Sequence, residues 1–291
     1  MKVTGFTFIR NAIKYDYPVK ESITSILPLC DDFVVAVGRS DDGTLDLIKN
    51  IDKNKIKIIE TDWDDSLREG GRVLAVETDK ALREVPESSD WAFYIQGDEV
   101  VHEKYLDTIE KEMKRWKDKR NVDGLLFKYL HFYGSYDYIG ESYHWYRREI
   151  RVIRALKNIY SYRDAQGFRK DNNRKLDVKL IDAFIYHYGW VKEPRAMQGK
   201  QATFHKFWHN DEWIEQHVAK ADEFDYSKID ALSLFKGTHP EVMEERIKRK
   251  NWQFDYDISR NNFKLKDKAK RFIERITGYR VGEYRNYKII K

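Results

Sequence analysis

The chain has 291 residues, of which 35% are charged and 14% aromatic, and its formal net charge at pH 7 is +5. It is too aromatic for a disordered chain and too charged for a protein embedded in a bilayer, so we predict a soluble globular protein. Its length allows one large domain or one domain with an appendage. The sequence shows neither a signal-peptide core nor an apolar run of about 18 residues. Its single cysteine, Cys30, lies among apolar residues and fits a reducing compartment. We therefore expect a cytoplasmic location.

The first 120 residues alternate between strand and helix patterns. Runs of β-branched and aromatic residues predict four strands, at 3–9, 33–37, 55–60 and 91–95. Apolar residues at helical spacing predict helices that begin near Pro18 and that span 44–51, 70–83 and 102–117. This alternation is typical of an α/β fold with a largely parallel sheet and helices on both faces.

After residue 120 the pattern changes. Strand patterns at 124–133, 150–154 and 178–188 follow one another without helices, which predicts mixed or antiparallel additions to the sheet. From residue 193 the sequence is polar and helical, with helices predicted at 211–220 and 240–250. We therefore predict an α/β domain over residues 1–190, with a mixed, mainly parallel sheet, and a mostly helical extension over residues 191–291.

The C-terminal segment 246–291 is much richer in lysine and arginine than in acidic residues. Within it, apolar residues recur at helical spacing among lysines and arginines, at Leu265, Ala269, Phe272, Ile273 and Ile276. This pattern predicts a basic amphipathic helix that ends at Gly278. Its charge indicates an anionic partner, either a membrane surface or a nucleic acid. The alternative is a helix that packs back on the domain with a solvated basic face.

The fourth predicted strand ends in an acidic pair, Asp98 and Glu99. In open α/β sheets, functional residues collect at the carboxyl ends of the strands. Two carboxylates at such a point suit a hard divalent cation, which takes oxygen ligands. The alternative is that Glu99 opens the next helix, where a negative charge is favourable.

Polar residues also follow the first two strands, and together they predict a rim that holds a nucleotide. Arg68 and Arg72, in the glycine-rich approach to the third helix, are placed to meet phosphate groups. The alternatives are an ordinary turn at 40–44 and a solvated loop at 68–72. The candidate nucleotide-binding residues are Arg10, Asn11, Arg39, Asp42, Arg68, Arg72 and Gln96.

In order and spacing, Arg10-Asn11, the Ser-Asp-Asp-Gly-Thr turn at 40–44 and the segment 91–99 resemble the N-terminal half of family 2 glycosyltransferases with the GT-A fold. The resemblance covers residues 3–110. It implies a nucleoside-diphosphate-sugar donor, with UDP the expected nucleotide, and a Mn or Mg ion held by Asp98 and Glu99. The chain departs from the family pattern in two places. Gln96 replaces the first aspartate of the metal motif, and Val37-Gly38 stands where aspartates often contact the base.

The second half is expected to supply the base and a further metal ligand. Asp164, after the arginine-rich strand 151–154, resembles the acidic residue that faces the acceptor in related transferases. It is our first candidate for the general base. Glu141, in a loop rich in aromatics that stack on sugars, is the second. His187 resembles a late metal-binding histidine of this fold, and a core histidine is the alternative.

The resemblance thus implies a transferase that moves a sugar from a nucleotide-sugar to a glycan or lipid-linked acceptor in cell-surface polysaccharide synthesis. Metal assistance and inversion of the anomeric centre are implied by the resemblance. The basic helix would then place the protein on the inner face of an anionic membrane, and no nucleic-acid partner is expected. Two alternatives remain open: a nucleotidyltransferase of similar fold, and a nucleic-acid-binding module that uses the basic tail.

Overall fold

A computed structural model describes residues 1–217 and 221–291. Its strands are β1 (Val3–Ile9), β2 (Asp32–Gly38), β3 (Ile56–Thr61), β4 (Trp91–Tyr94), β5 (Glu99–Val101), β6 (Gly124–Tyr133), β7 (Ser135–Gly140), β8 (Arg148–Arg154), β9 (Ile159–Tyr162), β10 (Gly167–Lys170), β11 (Arg174–Trp190), β12 (Leu232–Leu234) and β13 (Tyr287–Ile289). Its α-helices are α1 (Val19–Ile26), α2 (Thr44–Lys49), α3 (Arg72–Arg83), α4 (Leu106–Trp116), α5 (Pro194–Phe204), α6 (Asp211–His217), α7 (Glu244–Lys248) and α8 (Leu265–Thr277).

The first four strands form the parallel part of the sheet. They lie in the order β3, β2, β1, β4, and each neighbouring pair is parallel. Alternate residues face opposite sides: Val35 and Phe93 pack in one cluster with Ile23 of α1, whereas Val34 packs in another with Leu74 of α3. Helices therefore cover both faces, as the alternation of patterns predicted.

The sheet continues from β4 through β8, β6, β11, β10 and β9. Strand β8 pairs antiparallel with both β4 and β6, whereas β6 and β11 are parallel. The α/β fold with a mixed sheet is thus confirmed. Parallel pairs dominate the first half and antiparallel pairs dominate the second, where helices between strands are missing from the sequence pattern.

The acidic pair after β4 does not begin a helix. Glu99 starts β5, which pairs antiparallel with β11 and places Glu99 opposite His187. The following α-helix begins only at Leu106, after a short 3-10 turn at Glu103–Tyr105. The interpretation of Glu99 as a helix start is therefore wrong, because its backbone is used by a strand pairing with a distant part of the chain.

The predicted boundary at residue 190 coincides with the end of β11. Beyond it, β12 pairs with β7 and β13 pairs with β11, so the extension shares the sheet. The helix predicted at 211–220 is α6 as far as His217, and 218–220 lie outside the described residues. Helix α8 ends at Gly278, whose φ is 68°. Across the two described stretches, no helix has the length and apolar character needed to cross a membrane.

Candidate active site

Asp98 and His187 meet where the turn after β4 lies against β11. The Tyr188 N–H donates to the Asp98 carbonyl at 2.8 Å, which holds the turn against the strand. Nε2 of His187 lies 3.7 Å from Oδ1 of Asp98, and the two side chains are only 11% and 13% exposed. The structure therefore brings together two of the three residues expected to bind metal.

Hydrogen bonds determine which nitrogen of His187 carries its proton. Nε2 of His131 lies 2.7 Å from the Tyr146 carbonyl, which can only accept, so this nitrogen is protonated. Burial lowers the pKa of His131 well below its usual value, so the ring is neutral and its Nδ1 accepts. Nδ1 of His187, 3.1 Å away, is then the donor. The lone pair on Nε2 of His187 is left facing Asp98.

The space between Asp98 and His187 fits a divalent ion. A carboxylate and an unprotonated imidazole nitrogen are both acceptors, so a cation satisfies the pair. Gly189 keeps this space open, because a Cβ there would lie 2.6 Å from Oδ2 of Asp98 and 2.7 Å from Nε2 of His187. Within residues 1–217 and 221–291, no group of three His, Cys, Asp or Glu side chains could hold a metal. Two protein ligands leave positions for water and phosphate oxygens, which Mg²⁺-type ions usually keep.

Two buried lysines lie beside Asp98. Nζ of Lys200 is 3.4 Å from Oδ2 of Asp98 and donates to the Gly189 carbonyl at 2.9 Å. Lys192 is fully buried, and its Nζ donates to the Asp16 carbonyl at 2.5 Å. Burial lowers the pKa of both lysines, and Asp98 acts in the opposite direction. Asp98 thus lies beside two lysine amines, which are hydrogen-bond donors suited to an anionic ligand.

Glu99 is occupied by a different set of partners. Its carboxylate accepts hydrogen bonds from Nε and Nη2 of Arg151, both at 2.7 Å, from the Tyr129 hydroxyl at 2.7 Å, and from the Gln96 N–H at 3.1 Å. Glu99 and Arg151 are both fully buried. Four hydrogen bonds use the lone pairs that a carboxylate offers. These contacts occupy the carboxylate that was expected to bind the metal. Glu99 instead holds the neighbouring segments of the site in place.

Gln96 and Arg151 connect the turn after β4 to the loop that carries Asp164. Nε2 of Gln96 donates to the Ala165 carbonyl at 3.2 Å, and Nη1 of Arg151 donates to the Gln166 carbonyl at 2.9 Å. Gln96 was expected to bind the nucleotide; in the structure its amide also fixes this loop. The site and the candidate base are therefore parts of one hydrogen-bonded unit.

The Asp164 loop is held in an uncommon conformation. The residues on either side, Arg163 and Ala165, have φ values of 57° and 63°, which are costly for side chains other than glycine. Burial raises the pKa of Asp164, and backbone N–H groups offset part of this shift. A Cβ at Gly71 would lie 2.7 Å from Cβ of Asp164, so the start of α3 is adjacent. This brings Arg72, exposed in the first turn of α3, close to the candidate base.

The other predicted nucleotide residues fall into two groups. Arg10 and Arg39 lie at the ends of β1 and β2, and the Arg10 guanidinium stacks 4.6 Å from the centre of the Trp63 ring. Asn11 and Asp42 instead join the two loops. Asn11 Oδ1 accepts from the Asp41 N–H at 3.2 Å, and Asp42 accepts from the backbone of Lys14 and of Thr44. The predicted polar rim is present, but Asn11 and Asp42 use their side chains to hold its two loops together.

Arg68 and Glu141 are engaged elsewhere. Arg68 donates to the Lys206 carbonyl at 2.9 Å and pairs with Asp211 at 2.7 Å, so its guanidinium ties the loop before α3 to the extension. Glu141 accepts from the Ser233 hydroxyl at 2.9 Å and pairs with Arg271 of α8 at 3.2 Å. Neither side chain is brought to Asp98.

No family model matches the chain, and no curated protein sequence matches it. Among solved structures, the chain is similar to S. aureus TarS 1-349 in complex with UDP, with 14% identity and a TM-score of 0.41, over 76% of this chain and 68% of that chain. It is also similar to S. aureus TarS, with 15% identity and a TM-score of 0.39, over 70% of this chain and 39% of that chain. A third similar structure is glucosyl-3-phosphoglycerate synthase from Mycobacterium tuberculosis in complex with Mn2+, UDP and phosphoglyceric acid. It shares 15% identity at a TM-score of 0.31, over 45% of this chain and 43% of that chain. The chain thus spans about two fifths of the length of TarS.

Four residues of the site were not expected from the sequence: His131, Arg151, Lys192 and Lys200. Arg151 carries a signal, because an arginine inside an apolar strand needs a buried partner. His131 lies in a similar aromatic strand, where a core histidine is the usual interpretation. The two lysines carry no local signal, since they follow β11 in polar sequence and become buried only through tertiary contacts.

Proposed function

We propose that this chain is a glycosyltransferase with the GT-A fold, which transfers a sugar from a nucleoside-diphosphate donor, with UDP the expected nucleotide. The observation that carries the proposal is the pairing of Asp98 with His187 at the carboxyl end of a parallel sheet, with the Asp164 loop hydrogen-bonded to the same turn. A cation position, a cationic rim and a buried carboxyl are the groups that such a transfer needs.

In this proposal Asp98 and His187 hold a Mn or Mg ion. When bound, the ion supplies positive charge to the leaving diphosphate, whose negative charge rises during transfer. Lys200 neutralises Asp98 from the other side and adds positive charge near the same phosphates. Arg72 and Arg10 are the rim residues that contact the nucleotide. Arg39 has the same role, because its side chain is 85% exposed and its pair with Asp62, at 3.2 Å, lies at the surface.

Asp164 is the proposed general base. It accepts the proton of the acceptor hydroxyl as the oxygen of that hydroxyl forms a bond to the anomeric carbon of the sugar. The bond from this carbon to the phosphate oxygen breaks, and the nucleoside diphosphate leaves with the electron pair. A single displacement of this kind inverts the anomeric configuration. Burial supports the role, because it raises the pKa of Asp164 and makes its carboxylate a stronger base.

The finer parts of the proposal concern the acceptor and the arrangement of the chain. We propose a glycan or lipid-linked acceptor of cell-surface polysaccharide synthesis and an anionic membrane as the partner of the C-terminal basic helix. Residues 1–190 supply the donor site in this proposal. The extension 191–291 supplies Lys200 and the wall of a cavity next to the site.

Product analysis tests the proposal. The full chain is incubated with nucleotide-sugars, with and without Mn²⁺, and the nucleotides are separated. We expect release of the nucleoside diphosphate, and its loss in the Asp98→Asn variant. The matched control is Asp182→Asn, which changes an exposed aspartate that pairs with Lys128. Release of pyrophosphate would indicate nucleotidyl transfer, and unchanged turnover in Asp98→Asn would contradict the assignment of Asp98.

A binding measurement tests the donor site without turnover. A ligand that binds only the folded state raises its apparent stability. We expect UDP with Mn²⁺ to raise the melting temperature of the wild-type protein. The Asp98→Asn variant should show a smaller increase, and the control variant should respond as the wild type does.

A further inference from the structure

Helix α8 is oriented with its apolar face toward solvent. Its exposed apolar side chains are Leu265 (84%), Phe272 (66%), Ile273 (41%) and Ile276 (67%). The residues that face the protein are polar, namely Asp267, Lys270, Arg271 and Glu274. At about 100° per residue, the two sets lie on opposite sides of the helix. Amphipathic helices of globular domains normally bury the apolar side, so this face lacks its usual cover.

Specific polar contacts fix this orientation. The Tyr143 hydroxyl donates to Oε2 of Glu274 at 2.6 Å, and Arg147 pairs with the other oxygen of Glu274. Arg271 donates to the Glu141 carbonyl at 3.0 Å and to its carboxylate at 3.2 Å. Charged side chains on the inner face thus anchor the helix, and the outer face stays exposed.

Basic residues flank the exposed apolar face. Lys266 lies on one side of it, and Lys264, Lys268 and Arg275 lie on the other. All four side chains are exposed to solvent. An apolar stripe bordered by lysines is the pattern of helices that lie in a membrane interface and attract anionic headgroups. The charge of the flanks therefore selects an anionic lipid surface as the occupant of this face.

A cavity of about 570 Å³ lies between α8 and the sheet, and its lining includes His131, the neighbour of His187. On the side of α8 its lining runs from Arg271 and Glu274 of the inner face to Phe272 at the edge of the apolar face. His131 and Tyr146 line it on the side of the sheet. His131 is hydrogen-bonded to His187, so the inner wall of the cavity is one residue away from the proposed cation site. The cavity is therefore placed between the exposed apolar face and the position where transfer takes place.

We propose that the outer face of α8 lies in the headgroup region of an anionic membrane, and that the cavity behind it receives the headgroup of a lipid-linked acceptor. The acceptor part rests on the proposed glycosyltransferase function, whereas the docking of α8 does not. Docking at this face orients the cavity toward the bilayer, so that an acceptor anchored there reaches the site without leaving the membrane.

Vesicle co-sedimentation tests the docking. The full chain should bind vesicles of phosphatidylcholine mixed with phosphatidylglycerol at least about tenfold more tightly than vesicles of phosphatidylcholine alone. The pair Lys266→Glu and Lys268→Glu should weaken this binding by about tenfold or more. The control pair Lys49→Glu and Lys53→Glu changes exposed lysines near α2 and should bind as the wild type does. Equal binding to the two vesicles would overturn the proposal.

The apolar face is tested with a second matched pair. Leu265→Ser with Ile276→Ser should reduce vesicle binding, whereas Leu156→Ser with Ile258→Ser, on other exposed surfaces, should not. Sedimentation velocity of the same proteins tests whether a second copy of the chain covers this face instead. The wild type could instead be a dimer that does not bind vesicles and that Leu265→Ser with Ile276→Ser converts to a monomer. This result would assign the face to a second copy of the chain and overturn the proposal.

A single thiol reports the orientation directly. Cys30 is the one cysteine of the sequence and is buried, so Ile276→Cys provides the accessible position for an environment-sensitive fluorophore. We expect a blue shift of its emission with anionic vesicles, and no shift for the control Leu156→Cys. No shift at position 276 while the protein sediments with vesicles would overturn the orientation.

Donor hydrolysis separates this proposal from the proposed function. Release of nucleoside diphosphate without an acceptor should be unchanged in Leu265→Ser with Ile276→Ser, since neither residue touches the site. Vesicle binding without any donor turnover by the wild type would contradict the proposed function and leave the docking intact. Donor turnover without vesicle binding would contradict the docking of α8 and leave the proposed function intact.

Discussion

Arg151 donates two hydrogen bonds of 2.7 Å to the carboxylate of Glu99, and both side chains are fully buried. The same guanidinium donates to the Gln166 carbonyl beside Asp164. A buried charge that loses its partner destabilises a protein by about 3–5 kcal/mol. We expect Glu99→Gln to lower the free energy of unfolding by about 3 kcal/mol, measured in urea. The control Asp62→Asn breaks an exposed pair with Arg39 and should cost under about 1 kcal/mol. If Glu99→Gln lowers the free energy of unfolding by as little as the control does, the Glu99–Arg151 pair does not support the site.

Gly189→Ala should reduce metal binding without unfolding the protein. The added Cβ would lie within 2.6–2.7 Å of Asp98 and His187, in the space assigned to the cation. Titration calorimetry with Mn²⁺ should show weaker binding by at least about tenfold, a loss of roughly 1.4 kcal/mol. The control is Gly199→Ala, where nothing lies within 4 Å of the added atom. Unchanged Mn²⁺ affinity in Gly189→Ala would place the cation elsewhere.

Asp164→Asn should lower kcat by a factor of about 10² to 10⁴, the usual contribution of a general base. The KM for the donor should change little, because Asp164 is proposed to act on the acceptor. Since the base must be ionised, activity of the wild type falls as pH falls through the pKa of Asp164. Burial raises this pKa, so the acid limb of kcat/KM should lie above the usual aspartate value of about 3.9. An acid limb that persists in the variant would assign it to another group.

Arg72→Gln should raise the KM for the nucleotide-sugar by about tenfold, because a hydrogen bond to a charged group contributes roughly 1.5–3 kcal/mol. Arg72 is exposed at the first turn of α3, beside the Asp164 loop, whereas Arg68 is already paired with Asp211. The control is Arg83→Gln in the last turn of the same helix. Equal effects of the two substitutions would indicate a general charge effect instead of a contact.

Glu149 should make the protein less stable as pH rises. Burial raises its pKa to about 8, with the negative charges of Asp164 and Glu99 adding to the shift and Arg151 opposing it. The folded state therefore holds a proton that the unfolded state releases above about 4.3, so stability is highest below that pH and is lost as pH rises through 8. Glu149→Gln should remove this slope and raise the free energy of unfolding at pH 8 by about 2 kcal/mol or more. Parallel pH profiles for Glu149→Gln and the wild type would contradict the prediction. Glu87→Gln, at an exposed pair, serves as the control.

The sequence predicts the elements whose signal is local. The limits of β1 agree to the residue, because seven apolar or β-branched residues end sharply at Arg10. The three-residue strand β5 was missed, since so short a segment shows no alternation and forms only by pairing with β11. The predicted helix at 102–117 starts four residues late, as His102 caps a 3-10 turn first.

In the site, residues that are neighbours in the sequence are often not the residues whose side chains contact each other. Glu99 was grouped with Asp98 because the two are neighbours, yet its partner Arg151 lies 52 residues away. His187 was found only through the family resemblance. The hydrogen bond that orients it is donated to His131, 56 residues earlier. Long-range pairing of strands decides such contacts, and periodicity within one segment does not contain that information.

Strand β11 runs for 17 residues and pairs with β5, β6, β10 and β13. Its register against β6 shifts twice, between Leu180 and Phe184 and between His187 and Trp190. Because side chains alternate between the two faces of a strand, each irregularity changes which residues point at a given neighbour. A chain one residue shorter before His187 would present a tyrosine to Asp98, with nearly the same composition and the same sheet. Whether His187 faces Asp98 is thus decided by the residue count between two irregularities, and an insertion or deletion there would separate the two side chains.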